Sequence, residues 1–479
     1  MVLENLEPKS VFYHFERLCG IPHGSGNEKG VSDYCVEFAK AHGLKYIRDG
    51  AYNVIIFKDA TAGYEQKEPV ILQGHLDMVC AVRKGADIDM ATTPLKLKLF
   101  GDSIGAEDTS LGGDDGIAVA YALALLESED IPHPPLEVIL TTDEEVGMSG
   151  AAAIDLSALR GRRLINLDSE EQGIFTVGCA GGLRVYTKMP IERVPFSGLC
   201  LRLSVEGLIG GHSGVEINKG RANSNICMGA LLDAISAVSD LRICYLQGGD
   251  KDNVITPSTE AVVMIEEGRK EAVFKAVKDY KKAFDEKYGA VEKSAVILCE
   301  ETNAELLPLD KDSSKRLIGM LSGSPFGVQK MNPDIEGLVQ TSLNLGVLRL
   351  DKDSCQIDYS VRSSVTSERD ELADRLVSLA EKQGATAVKT NPYPAWEYRK
   401  DSPLRDTMAE VWEEMTGEKP IICTIHAGLE CGLLGEKLEG LDAVSIGPDM
   451  SGIHSPEERL YIKSVGTVWE FLKKTLAAL

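Results

Sequence analysis

The chain has 479 residues, and 43% of them are hydrophobic, as in a globular protein. This length is too great for one ordinary hydrophobic core and predicts two or more domains. Its 51 Lys and Arg against 74 Asp and Glu give a net charge of −23, which repels nucleic-acid phosphates and anionic membranes alike. No apolar run approaches membrane-spanning length, residues 1–22 lack a signal-peptide core, and 11 scattered Cys without a CxxC pair suit reduced thiols, so we expect a soluble cytoplasmic protein.

The N-terminal part of the chain predicts helices alternating with short buried strands. Apolar residues at helical spacing predict two helices on either side of the Gly-rich loop at 20–26, and 117–126 predicts a third, apolar helix. Brief apolar runs without alternation predict buried strands at 54–57, 70–72, 138–140 and 164–167. Strands that alternate with helices indicate an α/β domain with a mostly parallel sheet.

From about residue 199 the pattern changes to that of a half-exposed sheet, because Leu199, Leu201, Leu203 and Val205 alternate with other residues. Amphipathic helices are predicted at 223–241, 270–288 and 367–382, with strands at 261–265, 342–350 and 354–361. After the prolines near 392–394 a helix, a buried strand at 443–446 and a final helix return. The sequence therefore predicts one discontinuous α/β domain, residues 1–187 and 393–479, interrupted by an inserted α+β domain at 188–392.

Two segments with acidic residues or His follow predicted strands or open a predicted helix, where α/β sheets place their ligands. In Gly74-His75-Leu76-Asp77, His75 could bind a metal while the Asp77 carboxylate stays beside it. In Gly113-Asp114-Asp115-Gly116, Asp114 could bridge two cations through its two oxygens. Taken alone, the first pattern also suits a solvated surface pair and the second an acidic helix N-terminus.

Three further segments complete the pattern. Asp143-Glu144-Glu145 places three carboxylates after a strand, where they repel one another unless a cation or solvent screens them. Asp168 ends another strand, and His454 lies in the segment His-Ser-Pro-Glu-Glu. Together, two His, a bridging Asp, a Glu and a second Asp form the ligand set of a two-zinc site, with Glu144 left over as a base.

These segments resemble the aminoacyl-histidine dipeptidases, the Xaa-His or carnosine-splitting enzymes of the two-zinc superfamily of dipeptidases and aminoacylases. The resemblance covers almost the whole chain and rests on nine motifs in family order: GHLDMV, TSLGGDDGIA, TTDEEVGMSGA, INLDSEE, GCAGG, GGHSG, TSLNLGV, IHAGLECG and VSIGP with HSPEE. One position departs from the family pattern, because Asp115 stands where relatives often carry Asn, a change that should alter local charge but removes no ligand.

The resemblance implies a role for each metal-site residue. His75 and Asp168 would hold one zinc, Glu145 and His454 the other, and Asp114 would bridge them. Asp77 would orient His75. Glu144 would be the general base that takes a proton from the zinc-bridging water and passes it to the leaving amine. A cis peptide bond between Asp114 and Asp115 is also implied.

The resemblance also assigns residues of the inserted domain, which would act as a lid. His212 would stabilise the oxyanion of the scissile carbonyl. Asn253, Arg362 and the backbone at Gly428 would hold the C-terminal end of the substrate, since Arg binds a carboxylate through a bidentate fork. Without the resemblance, the sequence pattern favours the ordinary interpretations: a loop His, a capping Asn and a surface Arg.

The sequence thus predicts a cytoplasmic metallo-dipeptidase that cleaves Xaa-His dipeptides, including β-Ala-His, and binds two divalent ions. Zinc is the expected metal, and Mn²⁺ or Co²⁺ could use the same ligands. One alternative is an N-acyl-amino-acid or amide hydrolase with the same metal pair. Another is a metal-binding scaffold without catalysis, which the spare carboxylate of Glu144 disfavours. The partners expected are small dipeptides, with no nucleic acid and no membrane, and a homodimer stays open.

Overall fold

The computed structural model describes residues 2–333, 335 and 337–479. The chain forms two compact units. The first comprises Met1–Gly178, Tyr398–Thr424 and Leu429–Leu479, and the second comprises Cys179–Glu397 with Ile425–Gly428. The first unit is therefore discontinuous, and the second interrupts it.

The N-terminal segment of the first unit alternates helices and strands much as predicted. Its central helix, α3, is apolar all round and fully buried between Gly113 and Leu126, which is typical of a helix inside a core. The elements are α1 (Lys9–Cys19), α2 (Lys29–Ala41), β1 (Lys45–Arg48), β2 (Val54–Lys58), β3 (Val70–His75), β4 (Leu97–Phe100), β5 (Ser103–Ala106), α3 (Gly113–Glu127), β6 (Leu136–Thr141), α4 (Ser149–Ala153), β7 (Arg163–Asn166) and β8 (Ile174–Cys179).

The second unit contains a larger, different sheet with helices packed against it. Its elements are β9 (Gly181–Pro190), β10 (Leu199–Glu206), β11 (Gly211–His212), α5 (Ser224–Ser236), β12 (Arg242–Gly248), β13 (Val254–Ile255), β14 (Thr259–Ile265), a 3₁₀ turn (Glu267–Arg269), α6 (Lys270–Tyr288), β15 (Val296–Glu301), α7 (Lys311–Gly323), β16 (Gly327–Met331), β17 (Val339–Leu350), β18 (Ser354–Ser363), α8 (Thr366–Lys382) and β19 (Thr386–Tyr393).

The C-terminal segment returns to the first unit and ends in a helix, as the sequence indicates. Its elements are α9 (Pro403–Thr416), β20 (Ile421–Ile425), α10 (Glu430–Lys437), β21 (Asp442–Ser445), β22 (Met450–Ser451), β23 (Arg459–Tyr461) and α11 (Ile462–Ala478).

The main sheet of the first unit has the strand order β1-β2-β6-β3-β7-β21-β8-β20. Its four central strands, β6, β3, β7 and β21, are mutually parallel, whereas β1, β2 and β8 pair antiparallel at the flanks. Every residue of β3, β6 and β21 is buried, so both faces of the sheet centre are covered. The predicted α/β fold is confirmed, with the parallel pairing concentrated at the centre.

The second unit is built on an antiparallel sheet of order β15-β10-β14-β12-β17-β18-β9-β19, with β16 paired to β17. In β14 every second residue is buried, and in β10 the predicted alternating residues Leu201, Leu203 and Val205 are buried in the core of the unit. The sequence predicted the inserted domain at 188–392, whereas the second unit comprises Cys179–Glu397 with Ile425–Gly428. The difference arises because β9 pairs along its whole length with β18 and therefore belongs to this sheet.

No helix in the described part of the chain is both long enough and apolar enough to cross a membrane.

Candidate active site

The end of β3 carries the first site residue, His75, which is 1% exposed. The preceding residue, Gly74, has no room for a side chain. An added Cβ would lie 2.6 Å from both the Ala118 Cβ and the Asp115 carboxylate of α3. Glycine at this position therefore lets the start of α3 approach the strand end closely.

Asp114 lies at the centre of the site because its two carboxylate oxygens face different His residues. Its Oδ1 is 3.0 Å from His75 Nε2, and its Oδ2 is 3.1 Å from His454 Nε2. Asp168 Oδ1 lies 3.7 Å from His75 Nε2, and Glu145 Oε1 lies 2.9 Å from His454 Nε2. The structure thus brings together all five residues that the sequence predicted as metal ligands.

These residues form two groups that share Asp114: His75, Asp114 and Asp168, and Asp114, Glu145 and His454. Within each group the ligand atoms lie within 4.8 Å of one another. Imidazole nitrogens and carboxylate oxygens are ligands that zinc accepts. The donor set therefore fits a pair of divalent cations that share one carboxylate.

The electrostatics of the cluster also favour bound cations. Hydrogen bonds that the His454 ring donates to the Asp114 and Glu145 carboxylates raise the pKa of His454 to about 10, and burial raises the pKa of Asp168 to about 6. Burial opposes charge on His75, but Asp114, Asp168 and Asp77 hold its pKa well above the usual value. No Lys or Arg is among the groups that shift these pKa values. Concentrated negative charge without a cationic side chain is the environment of a bound cation.

Glu144 precedes a predicted ligand but is not part of either three-residue group. Burial raises its pKa well above the usual value, and the nearby Asp168, Glu430 and Glu145 add to the shift. Its backbone N–H donates to Asp77 Oδ1 at 3.0 Å, which fixes the start of the turn. A carboxylate with a raised pKa accepts and holds a proton near neutral pH, as a general base requires.

Asp77 is 1% exposed, and its carboxylate contacts more than His75. The nearest acceptor to His75 Nδ1 is the Asp77 main-chain oxygen at 3.0 Å, and the Asp77 Oδ1 lies at 3.5 Å. The carboxylate also accepts hydrogen bonds from Ser25 Oγ at 2.8 Å and from the backbone N–H groups of Glu144 and Glu145 at 3.0 and 3.3 Å. Asp77 therefore fixes the backbone of Glu144 and Glu145 as well as the His75 ring.

Asp115 is fully buried and follows Asp114 through a cis peptide bond, as the resemblance implied. Its Oδ2 accepts the backbone N–H of His75 at 3.1 Å, whereas its Oδ1 has no hydrogen-bond partner among the described residues. Burial and the nearby Asp168 raise the pKa of Asp115 well above its usual value. The surroundings thus oppose the extra negative charge that the sequence predicted at this position.

In the second unit, His212 and Asn253 lie on adjacent strand ends. His212 of β11 pairs with Val254 of β13, and the Asn253 main-chain oxygen accepts the Ser213 N–H at 2.9 Å. His212 Nδ1 accepts the N–H groups of Gly214 and Val215 at 3.2 and 3.3 Å. Since Nδ1 is an acceptor, the proton of the neutral ring belongs on Nε2, which is left as a hydrogen-bond donor. Burial, followed by the charge of Arg362, lowers the pKa of His212 and favours this neutral form.

Arg362 is 6% exposed and sits on β18, where it pairs with Ser342 on one side and Gly182 on the other. Its Nη1 donates to the Tyr393 hydroxyl at 2.9 Å, and its Nε has no partner among the described residues. Arg362 forms no ion pair with a carboxylate in the described part of the chain, in contrast to Arg184, which pairs with Asp252. A buried guanidinium with a free donor is suited to an anionic ligand.

Gly428 lies in the short segment 425–428 that joins the second unit, and it is half-buried. His426 in the same segment is 6% exposed, and its Nε2 lies 2.7 Å from Ser342 Oγ. Gly214, the neighbour of His212, has no space for a Cβ, because the atom would lie 2.6 Å from the His426 main-chain oxygen. The segments of His212, Arg362 and Gly428 therefore converge within the second unit.

Comparison with known proteins decides the family. A model of the peptidase family M20/M25/M40 matches residues 71–478. The cytosol non-specific dipeptidase of Escherichia coli (strain K12) is 35% identical over 476 residues, which are 99% of this chain and 98% of that protein. The chain belongs to peptidase family M20/M25/M40.

Two solved structures resemble the fold of this chain. The crystal structure of aminoacylhistidine dipeptidase from Vibrio alginolyticus has a TM-score of 0.94 and 34% identity, and the match covers 100% of this chain and 98% of that one. The aminopeptidase PepT structure from Bacillus cereus has a TM-score of 0.57 at 14% identity over 99% of each chain, which shows a shared fold alone. The resemblance predicted from the nine motifs is confirmed, as is the prediction of a peptide hydrolase.

One buried network behind the candidate metal ligands was missed from sequence. Glu430, at the start of α10, is fully buried and accepts hydrogen bonds from Gln73 Nε2 at 2.6 Å and Thr141 Oγ1 at 2.5 Å. Gln73 Oε1 accepts from Asn166 Nδ2 at 2.6 Å, and Asn166 Oδ1 lies 3.4 Å from the N–H of Asp168. Burial raises the pKa of Glu430 to about 8. The only sequence signal was a polar residue inside each of three apolar strands.

Proposed function

We propose that this protein is a cytoplasmic metal-dependent dipeptidase that hydrolyses dipeptides, including Xaa-His dipeptides such as β-Ala-His. The observation that carries the proposal is the placement of the two Asp114 oxygens, one toward His75 and one toward His454. We further propose that the two bound ions are zinc. Asp168 would complete the group around His75, and Glu145 would complete the group around His454.

The proposed reaction divides the work between the ions and the chain. Bound zinc would polarise the scissile carbonyl and make water more acidic. The Glu144 carboxylate would accept the proton of the attacking water and deliver it to the amine nitrogen that leaves. His212, with its proton on Nε2, would donate a hydrogen bond to the oxygen on which negative charge develops. Asp77 would hold the Glu144 backbone in place while the proton moves.

Arg362 supports the choice of a dipeptide over a longer peptide. We propose that its guanidinium binds the free C-terminal carboxylate of the substrate, with Asn253 and the Gly428 backbone as further contacts. A dipeptide ends one residue past the scissile bond, so a longer chain would place a neutral amide where a carboxylate is needed. A site built to bind a charged group rejects an analogue without it, because the buried guanidinium would then lack a partner.

The remaining proposals concern the environment of the enzyme. The sequence has 11 Cys and no CxxC pair, a pattern that suits the reducing environment of a cytoplasm. The net charge of −23 is unfavourable for binding to nucleic acid or to an anionic membrane. The N-acyl-amino-acid hydrolase alternative finds no support in the two full-length relatives, which are both dipeptidases by name.

The test combines metal analysis with a panel of substrates. We expect two zinc ions per chain, and loss of activity on chelation without loss of secondary structure by circular dichroism. β-Ala-His, Gly-His and Leu-Gly should be cleaved, whereas acetyl-His, β-Ala-His amide and tripeptides should be poor substrates. One ion or none in fully active protein would contradict the metal site. Equal turnover of dipeptide, dipeptide amide and tripeptide would contradict the carboxylate-binding role of Arg362.

A matched pair of variants tests the role of Arg362 directly. Arg362→Met should reduce kcat/KM for β-Ala-His far more than for its amide, since only the free dipeptide has a charge to lose. Arg349→Met is the control, because Arg349 lies on the neighbouring strand β17 with its side chain 53% exposed. If Arg362→Met and Arg349→Met each lower kcat/KM by the same factor for the dipeptide as for its amide, Arg362 does not bind the carboxylate.

A further inference from the structure

Glu458 is a buried carboxylate that no step of the proposed reaction uses, and it is 2% exposed. Its Oε2 accepts the backbone N–H groups of Leu111 at 2.8 Å and Gly112 at 3.2 Å. Its Oε1 accepts those of Gly113 at 2.8 Å and Asp114 at 3.5 Å. One side chain therefore holds four successive peptide groups at the start of α3.

The backbone at this point is shaped to surround an anion. Gly112 has φ 67°, a left-handed conformation that turns the N–H groups on either side of it toward one point. The first N–H groups of a helix also lack partners within the helix and carry partial positive charge. Gly113 has little space for a side chain, since a Cβ would lie 3.2 Å from Glu458 Oε1. The Glu458 carboxylate thus occupies a position that in other proteins binds phosphate.

Glu458 is also tied to a predicted metal ligand through its own segment. It follows His454 by four residues, and its N–H donates to the Ser455 main-chain oxygen at 3.1 Å. Ser455 Oγ donates to the Gly452 oxygen at 2.6 Å and accepts the Glu457 N–H at 3.2 Å. These bonds hold residues 452–458 in a compact turn. His454 and Glu458 are therefore parts of one hydrogen-bonded turn.

The two ends of this turn hold Asp114 at two different points. His454 Nε2 lies 3.1 Å from the Asp114 carboxylate, and Glu458 holds the Asp114 backbone and the three residues before it. A shift of the Asp114 peptide group would move its carboxylate away from both His75 and His454. The relative position of the bridging carboxylate and one terminal ligand therefore depends on Glu458.

We propose that Glu458 is a positioning residue for the metal pair, which fixes the bridging carboxylate of Asp114 against His454 and so sets the affinity for both ions. This inference rests on the ligand set proposed above. Groups that orient metal ligands typically change metal affinity by about 10–100-fold when they are removed. Because both ions share Asp114, the affinity for both should fall together. Loss of a ligand that only one ion uses should lower the affinity for that ion alone.

Glu458→Gln is the decisive variant because it keeps the size of the side chain and removes one of its two acceptors. The amide nitrogen would face two backbone N–H groups, and these would lose their hydrogen bonds. Glu457→Gln is the matched control: it makes the same chemical change one residue earlier, on a side chain that is 59% exposed and pairs with Arg83. Asp114→Asn tests whether the proposed bridging ligand binds metal at all.

The measurement is zinc retained by each full-length holoenzyme after dialysis against buffers of fixed free zinc concentration. We expect Glu458→Gln to lose both ions at about 10–100-fold higher free zinc than the unmodified protein, and Glu457→Gln to match the unmodified protein. Activity of Glu458→Gln should return at high free zinc with an unchanged KM for dipeptide. A purely structural cap would lower the unfolding temperature and leave the zinc dependence unchanged.

Each outcome has a defined meaning. Unchanged zinc affinity in Glu458→Gln overturns the inference, as does loss of a single ion with the other held normally. If Glu458→Gln does not fold, Glu458→Asp carries the test, because it keeps the charge but reaches less far; normal zinc affinity in that variant would overturn the inference as well. If Asp114→Asn retains both ions, the proposed ligand set itself fails.

Discussion

Replacing Asp77 with Asn isolates the role of one buried charge at almost constant shape. The Asp77 carboxylate accepts the Ser25 hydroxyl and the backbone N–H groups of Glu144 and Glu145. An Asn side chain offers one oxygen and one NH₂ group in the same volume. Its oxygen can keep the Glu144 N–H, and the Ser25 hydroxyl can rotate to accept from the NH₂ group. The Glu145 N–H would then have no acceptor.

The expected magnitude follows from this single loss. A hydrogen bond to a charged group contributes about 1.5–3 kcal/mol, and a buried N–H left without a partner costs about as much. Since about 1.4 kcal/mol corresponds to a factor of ten, displacement of the Glu145 turn should weaken its metal site by roughly 10–100-fold. The proton-accepting position of Glu144 should suffer less, because its own N–H keeps a partner. We therefore expect zinc retention to fall more than kcat measured at saturating zinc.

The assay compares Asp77→Asn with Ser25→Ala in zinc-buffered solution. Ser25→Ala removes one donor but leaves the carboxylate as acceptor of both backbone N–H groups, so zinc affinity should fall clearly less in Ser25→Ala than in Asp77→Asn. Asp77→Asn with normal zinc affinity would refute the role assigned to the carboxylate. An equal loss in both variants would show that Ser25, and not the backbone of the turn, is the important partner.

Three further predictions concern single positions. Glu144→Gln should keep both ions and lower kcat by ~10²–10⁴, whereas Glu145→Gln should lose an ion; metal analysis and kinetics showing the reverse would exchange their roles. Gly182→Ala should raise KM for free dipeptides at normal zinc content, because the added Cβ would overlap the Tyr393 hydroxyl that contacts Arg362; an unchanged KM would contradict this. Burial lowers the pKa of His426 from 6.5 to about 3, so the folded protein favours the neutral ring. The contribution of His426 to the free energy of unfolding is present above pH 6.5 and is lost as the pH falls toward 3. Between pH 7.5 and 5 the unfolding free energy should therefore fall by about 2 kcal/mol more in the unmodified protein than in His426→Gln, measured by urea unfolding at each pH.

Four of the five candidate metal-site residues could be grouped from sequence, because they lie at or after the end of a short apolar strand or at the start of α3; His454 lies in the loop between β22 and β23. His75, Asp168 and Glu145 follow β3, β7 and β6, and parallel strands bring such ends to one edge of the sheet. The helix α6 was predicted with the same bounds, since its amphipathic pattern is strong. Spacing along the chain was therefore sufficient for the residues that the sheet itself brings together.

Other features depended on contacts that no local pattern records. The helix predicted at 223–241 ends at Ser236, because the following residues turn into β12. The strand β9 was not predicted, although its pairing with β18 and β19 decides where the second unit begins. Glu430 and Glu458 looked like ordinary acids in helix and loop segments. Their burial depends on partners 289 to 357 residues away in the chain, so it could not be inferred from neighbouring residues.

The position of β21 between β7 and β8 also has a consequence during protein synthesis. When the ribosome has completed β8, the strand that belongs beside it, Asp442–Ser445, has not yet been made. At ~5–20 residues per second the intervening chain takes roughly 13–50 s to translate, and throughout this time the edges of β7 and β8 have no neighbour at that place. Unpaired strand edges bind other chains readily. The nascent first unit is thus exposed to misassembly longer than the second, whose sheet is complete once residue 393 has been added.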